Sequence, residues 1–370
     1  MPAKDLHDKP FDDSTIAKLE IFESYVEAWL PTFVMLREPT ICIFDFFSGT
    51  GYDKSRVPGS PIRILRVIKK FVEIISKQGT KVKVYFNEYK KDKFDALTTA
   101  CNEYLSENPD VATAIELNLK KDDFDKRFTD WLPEIQKHPS LVFLDQNGIK
   151  FLSDKYFQPL EQTTKTDFLY FVSSSYFLRF GDSEEFKKHF SFDIEEAKKN
   201  PYAFIHRSLI KQLKNNLPTD SALKLYPFTL KKGSNVHGII FGAKSPRAVE
   251  KFLTIAWAKN ITNGEANFDI DDDHSQNKTQ YVLFGEKKPT KIEVFQQRLE
   301  EKLKSSTRVS NIELFLYALE LGHPPTHAAD HVRTLKKEKK VDYDGRSPKI
   351  TFDALMDKKN STVLIKWLVR

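Results

Sequence analysis

Five short apolar runs, each too short for a helix and four of them followed directly by a helical pattern, set the tightest limit on what this chain can become. They are Thr40 to Asp45, Lys81 to Asn87, Ala114 to Leu119, Ser140 to Leu144 and Asp167 to Ser173. The stretches between the runs have helical spacing. Ile62, Leu65, Ile68, Phe71, Val72 and Ile75 form one apolar face, and 91–106, 124–136 and 154–161 read as further helices. Strands separated by helices cannot pair as hairpins, so they predict a parallel sheet covered on both faces. A longer helix over 194–215 follows. Leu223 to Leu230 and Val236 to Phe241, flanking Lys231-Lys-Gly-Ser-Asn235, predict a hairpin that closes the sheet with an antiparallel edge. The expected fold class is therefore α/β, a doubly wound sheet of seven strands. A helix precedes it, with Leu19, Phe22, Val26, Trp29 and Leu30 at helical spacing, Ser14 or Thr15 as cap, and Pro31 ending or kinking it. Ser60 as cap with Pro61 in the first turn starts the helix after the first strand.

The charge is uneven. From Lys287 onward there are 18 Lys and Arg against 11 Asp and Glu, so the formal excess of +6 for the whole chain sits in its last quarter. Here 291–304, 311–321 and 326–340 read as helices, the last capped by Thr326. Val341 to Tyr343 and Lys349 to Phe352 flank the turn dipeptide Asp344-Gly345. The expected organisation is a sheet domain over 1–286 and a basic winged-helix-like α+β domain over 287–370, with the polar stretch 263–288 as loop or linker. A basic module points to a polyanionic partner, DNA or RNA, with Arg333, Lys336, Lys337 and Lys340 as phosphate-contacting residues. The alternative is a solvated lysine face that packs on a protein. Two cysteines, Cys42 and Cys101, argue against a disulfide framework or a cysteine metal site. No apolar run approaches the length of a membrane span and no secretory h-region opens the chain, so the expected location is cytoplasmic, with no membrane partner.

The most informative local feature is Asp45-Phe-Phe-Ser-Gly49-Thr-Gly51, directly after the first strand. In open α/β sheets the ligand crevice lies outside the carboxyl ends of the strands, and glycines there let a ligand approach the backbone. Glu88 follows the second strand, where a carboxylate can accept both hydroxyls of a ribose. Asp122 and Asp123 follow the third, where a side chain or amide can meet an adenine edge. Neither Gly-x-Gly-x-x-Gly nor a P-loop is present. A cofactor without phosphates needs no phosphate cradle, and S-adenosylmethionine fits this pattern better than a dinucleotide. Asp45, Phe47, Gly49, Gly51, Glu88, Asp122 and Asp123 are thus the candidate cofactor residues. The competing reading leaves Gly49 and Gly51 as a tight strand-to-helix turn.

The 45–51 motif with Gly59-Ser-Pro61 resembles the first motif of the three-Cys-motif partner (TcmP) family. Lys18-Leu19, Tyr25 and Trp29-Leu-Pro31 match as well, as do 167–180, 231–235 with Phe241-Gly242, Glu250 to Leu253 with Ala256-Trp257, and 263–271. The resemblance spans nearly the whole chain. It implies a Rossmann-like sheet similar to class I S-adenosylmethionine-dependent methyltransferases, and a partner encoded nearby, a three-cysteine, radical-enzyme-like protein. It supplies no substrate. In methyltransferases of this fold the end of strand four faces the acceptor, so the resemblance makes Asp145 and Asn147 the candidate catalytic residues. Gln146 and Asn147 depart from the Asp/Asn-Pro-Pro-aromatic pattern of amino-group methyltransferases acting on nucleic acids. Two functions stay open: a methyltransferase acting on or with nucleic acid, and an inactive adaptor for the three-cysteine protein.

Other motifs carry less. Ser173-Ser-Ser175, Tyr176 and Arg179 suit helix capping or an anionic substrate. The acidic run Asp269 to Asp273 lacks the glycine and final glutamate of an EF-hand. His323, His327 and His331 are spaced by four, but Pro324 and Pro325 interrupt the register, and no metal site is expected. Without a Gly-x-Ser-x-Gly elbow, nucleophilic hydrolysis is unsupported.

Overall fold

The computed structural model describes residues 10–145, 153–173, 204–232, 235–271 and 289–368. The chain separates into two compact units, Met1–Lys244 and Ser245–Arg370. The division falls earlier than the expected 286/287, and the helix at 246–259 packs with the C-terminal helices.

In the first unit the elements run α1 (Asp13–Met35), β1 (Thr40–Asp45), α2 (Ser60–Gln78), β2 (Lys81–Asn87), α3 (Lys91–Glu107), α4 (Pro109–Ala114), β3 (Ile115–Lys120), α5 (Phe124–Lys137), β4 (Ser140–Asp145), α6 (Asp154–Glu161), β5 (Thr166–Ser173), α7 (Phe204–Asn215), β6 (Lys224–Lys232) and β7 (Asn235–Ala243). One seven-stranded sheet forms in the order β3-β2-β1-β4-β5-β7-β6. The first five strands pair in parallel, and β7 is antiparallel to both β5 and β6. This is the mixed α/β, Rossmann-like arrangement that the alternation predicts. The chain winds outward from β1 in one direction and from β4 in the other, which puts the topological switch point of the sheet between their carboxyl ends.

Period-two alternation assigns each strand residue to a layer. Cys42, Phe44, Val142, Leu144, Phe168 and Tyr170 join Trp131, Phe128, Tyr156 and Leu209 in one aromatic-rich core. The intervening residues point to the other face, where Phe22 of α1 stacks on Phe143 at 4.0 Å and the Tyr25 hydroxyl donates to Asp167 at 2.7 Å. Asp45, Asp145 and Phe171 share this α1 face by the same parity. Asp12, ahead of the expected Ser14 or Thr15, caps α1 by accepting from the Thr15 amide at 3.0 Å, and the helix runs through Pro31 to Met35. Gly59 is the cap of α2, because the Ser60 side chain is committed elsewhere.

The second unit contains α8 (Pro246–Lys259), α9 (Lys291–Lys304), β8 (Val309–Ser310), α10 (Asn311–Glu320), α11 (Pro325–Lys337), β9 (Val341–Asp342), α12 (Phe352–Met356), α13 (Lys358–Ser361) and β10 (Leu364–Trp367). Thr290 and Ser310 form capping boxes with Glu293 and Glu313, which fix the starts of α9 and α10. The expected hairpin between 341–343 and 349–352 does not form. Val341 and Asp342 pair with Trp367 and Lys366, while Thr351 accepts from the Ala354 amide and starts α12 instead. The antiparallel order is β8-β10-β9. Helix α11 begins at Pro325, so Thr326 is not its cap. It ends at Lys337, three residues before Lys340, and Lys339 takes a positive φ of 59°. No helix among the described residues is long and apolar enough to cross a membrane.

Candidate functional site

The turn after β1 is held by Asp45 from within and by polar groups of α2 and the end of β2. Asp45 is fully enclosed, with 0% exposure. Its carboxylate accepts from the Ser60 hydroxyl at 2.6 Å and from the Phe47 amide at 3.1 Å. Burial pushes its pKa up to about 7 against the pull of these two donors, and Asp145 nearby raises it further while Lys18 lowers it. Asp45 therefore positions the turn from beneath and has no surface to offer a cofactor. Phe47 is half-buried, with its ring stacked on Phe124 at 5.4 Å. Gly49 and Gly51 both take positive φ, 63° and 83°. A Cβ on Gly51 would stand 2.8 Å from the Ala100 Cβ, so this glycine serves the contact with α3 and not a ligand. The Gly51 carbonyl accepts from the Gly59 amide at 2.8 Å, and Asp53 binds the amides of Phe11, Ser55 and Val57 at 2.7–2.8 Å. The loop that lengthens the spacing to Glu88 is thus compact.

Glu88 is turned toward that turn. One carboxylate oxygen accepts from the Gly49 amide at 3.1 Å and the other from the Lys90 amide at 2.9 Å. Asn87 ties three strand ends together. Its carbonyl accepts from the Ser48 amide at 3.0 Å, its side-chain amide donates to the carbonyls of Phe46 and Asp122, and its side-chain oxygen accepts from the Asp122 amide at 3.2 Å. The Asp122 side chain is held by Arg127 at 3.1 Å and Lys126 at 3.3 Å. Asp123 caps α5 by accepting from the Asp125 amide at 2.8 Å. Both acids have local structural partners, so what they offer an adenine edge is mainly the turn backbone that Asn87 fixes.

At the end of β4, Asp145 forms an ion pair with Lys18 of α1. Lys18 is only 6% exposed, and its ammonium lies 4.1 Å from the centroid of the Phe171 ring. Lys18, Asp145, Asp45, Ser60 and Phe171 thus gather on the α1 face at the carboxyl ends of β1, β4 and β5. Asn147, with Gln146, lies outside the described residues, as do 174–180 and Asp272 to His274. Lys18 and Ser60 fall within motifs legible in the sequence, which assign them no role in the site, and Asn87 is singled out by no motif at all. Lys18 had a signal: it falls on the stripe 18-22-25-29 that faces the sheet, where a lysine is out of place unless paired.

In the second unit Arg333 pairs with Asp330, Lys336 lies 3.3 Å from Asp342 and 3.9 Å from the Tyr343 ring centroid, and Lys340 lies 2.8 Å from Glu338. Lys337 is exposed at the end of α11. His323 and His327 face each other with Nδ1 atoms 3.1 Å apart, against Trp257 and Phe295, while His331 turns to Glu300 at 3.1 Å. The three histidines do not converge, and no group of three metal-ligating side chains occurs among the described residues.

No protein-family profile matches the chain, and no curated protein matches it in sequence. Among solved structures, one fibrillarin/Nop5p complex chain is 11% identical, covering 56% of this chain and 74% of its own, with a TM-score of 0.32. YhhF of Escherichia coli, a protein proposed to be a methyltransferase, is 14% identical over 64% of this chain and 89% of its own, with a TM-score of 0.27. Neither likeness decides a function for this chain.

Proposed function

We propose that the first unit binds S-adenosylmethionine at the carboxyl ends of β1 and β2, and that the protein is a methyltransferase acting on nucleic acid held with the help of the second unit. The observation that carries this reading is Glu88. An ionised carboxylate has about four acceptor positions. The amides of Gly49 and Lys90 use one on each oxygen, which orients the group and leaves one position on each oxygen for the two neighbouring hydroxyls of a ribose. The Gly51 Cβ position is filled by Ala100, and the Gly49 amide is given to Glu88, so the turn offers no run of free amides. That suits a nucleoside and not a pyrophosphate, which needs a run of amides. When bound, S-adenosylmethionine supplies a methyl group already activated on sulfur. The protein's work is to align the acceptor, which makes the acid at the end of β4 the group nearest the chemistry.

After α8 the second unit runs α9, β8, α10, α11 and β9, with the short α12 and α13 before β10; the three-helix and three-strand core of that order supports the winged-helix reading, with α11 in the recognition-helix position. The ion pairs of Arg333, Lys336 and Lys340 are surface pairs. Such pairs contribute little to stability and exchange readily for phosphate oxygens.

Calorimetry with S-adenosylhomocysteine on protein freed of bound ligand tests the cofactor reading. Binding is expected, and Glu88→Ala should weaken it at least about 10-fold, the worth of one or two hydrogen bonds to a charged group. Absent binding, or an unchanged Glu88→Ala variant, overturns it and leaves the adaptor for the three-cysteine-motif protein. For the second unit, replacing Arg333, Lys336, Lys337 and Lys340 by Glu should flatten the salt dependence of nucleic-acid binding by about 0.9 for each phosphate no longer neutralised.

A further inference from the structure

Lys18 and Asp145 place a buried donor beside a half-buried acceptor where the methyl acceptor should sit. Resting on the methyl-transfer reading, we propose that this pair selects a hydroxyl oxygen as the acceptor, and that in a nucleic acid this is the ribose 2′-hydroxyl, so that the substrate is RNA.

The chemistry of the two candidate acceptors decides between them. A hydroxyl carries one O–H donor and two lone pairs. It can donate to Asp145, accept from the Lys18 ammonium, and keep its second lone pair for attack. An exocyclic amine on a base carries two donors, and its lone pair is drawn into the ring. It has nothing to accept the Lys18 proton with, and Lys18 already occupies an oxygen of the carboxylate it would need. The Phe171 ring under the ammonium, 4.1 Å away, holds the cation in place without offering it a second carboxylate. Asp45 feels the charge of Asp145, but its two oxygens accept from Ser60 and Phe47, and it is Asp145 that forms the ion pair with Lys18. DNA carries no hydroxyl along its backbone, whereas RNA offers one on every sugar. The net positive charge of the last quarter of the chain favours a polyanion over a protein as the bearer of that hydroxyl.

The step balances simply. The hydroxyl oxygen forms a bond to the methyl carbon, and the carbon–sulfur bond breaks with its electron pair left on sulfur, which becomes a neutral thioether. The hydroxyl proton passes to the Asp145 carboxylate and then to water. Lys18 holds the oxygen and the carboxylate in register.

The full chain is incubated with methyl-tritiated S-adenosylmethionine and either total RNA, DNA or cell protein, and the RNA is then hydrolysed in alkali. A 2′-O-methyl group blocks cleavage of its linkage, so label in alkali-resistant dinucleotides is expected. Label in mononucleotides, on DNA or on protein overturns the proposal, as does no label from protein that calorimetry shows to bind S-adenosylhomocysteine. Protein that fails to bind S-adenosylhomocysteine sinks the methyl-transfer reading itself, a separate and distinguishable result. Lys18→Met should lower transfer by about 100-fold or more, as for loss of a proton-handling pair, while S-adenosylhomocysteine affinity stays within about 3-fold. Lys18→Arg, which keeps the charge, should retain more transfer than Lys18→Met, and the near-isosteric Asp145→Asn should lose it. A readout apart from turnover is competition between an RNA strand and its 2′-deoxy counterpart in the presence of S-adenosylhomocysteine. The wild type should prefer RNA and Lys18→Met should lose that preference. Undiminished transfer or preference in Lys18→Met overturns the role of Lys18.

Discussion

Replacing Asp45 by Asn should stabilise the protein above neutral pH, an unusual expectation for a residue so well hydrogen-bonded. Asp45 is enclosed, and burial raises its pKa from 3.8 to about 7. A carboxyl that holds its proton more tightly in the folded state stabilises that state fully below pH 4. The benefit is lost as pH rises through 7. The difference of about three pKa units, at about 1.4 kcal/mol each, bounds the loss at about 4 kcal/mol by pH 8. The neighbourhood supports this direction. Lys18 is the cation that bears on Asp45, and it is already paired with Asp145, so an ionised Asp45 would leave the cluster with one negative charge too many.

Asn keeps the shape. Its oxygen can accept from the Phe47 amide, and its NH₂ can face the Ser60 hydroxyl, which then accepts. What is lost is the extra strength of two bonds to a charged acceptor, about 1–2 kcal/mol. The net gain at pH 8 should be about 2 kcal/mol, shrinking toward zero or reversing near pH 5. Urea unfolding of wild type and Asp45→Asn between pH 5 and 8.5 measures both. A variant less stable than wild type at pH 8, or a difference that does not change with pH, would show that Asp45 is ionised and structurally required.

Two further outcomes concern packing and acid. Gly51→Ala places a side chain at φ 83° against the Ala100 Cβ, and strain plus overpacking should cost about 2–4 kcal/mol in urea unfolding; Ala100→Gly in the same chain should restore part of it, and a loss below about 1 kcal/mol would show that the turn relaxes freely. Burial drives His323 well below the ordinary imidazole value, to about 2, and lowers His327, so the second unit should lose stability as pH falls below 6.5, by about 2 kcal/mol at pH 5 from His323 alone. Trp257 fluorescence reads this, and stability that is flat from pH 7 to 5 would contradict it.

The sheet was legible because its signal is local and repeated. Runs such as Thr40 to Asp45 followed by 3.6-period faces leave few arrangements, and the hairpin had its own loop. Which strand the hairpin joins was not legible, since β7 enters between β5 and β6 through long-range pairing that no short pattern encodes. The second unit shows the same limit. Asp344-Gly345 is a sound turn signal, yet β9 pairs with β10, more than 20 residues further on, because the capped start of α12 consumes the nearer segment. At the site, Glu88 and the glycines stood out by position and type. The roles of Ser60 and Asn87 did not, because Ser at a helix start and Asn at a strand end each have an ordinary local use that tertiary contacts here override.

The two acids at the switch point differ in what they cost. Asp145 has its cation, and the pair can persist as a neutral unit. Asp45 has two dipoles and a lysine already paired with Asp145, and an amide residue there would leave the sheet more stable above neutral pH. A turn needing only shape could be built without that penalty. What a carboxyl adds is a fixed orientation for the Phe47 amide and the Ser60 side chain, and a charge state coupled to Lys18 and Asp145. On this reading Asp45→Asn should prove more stable and yet less able to hold Glu88 and Asp145 in working register. Greater stability with unimpaired S-adenosylhomocysteine binding and methyl transfer would reduce Asp45 to a relic of the turn.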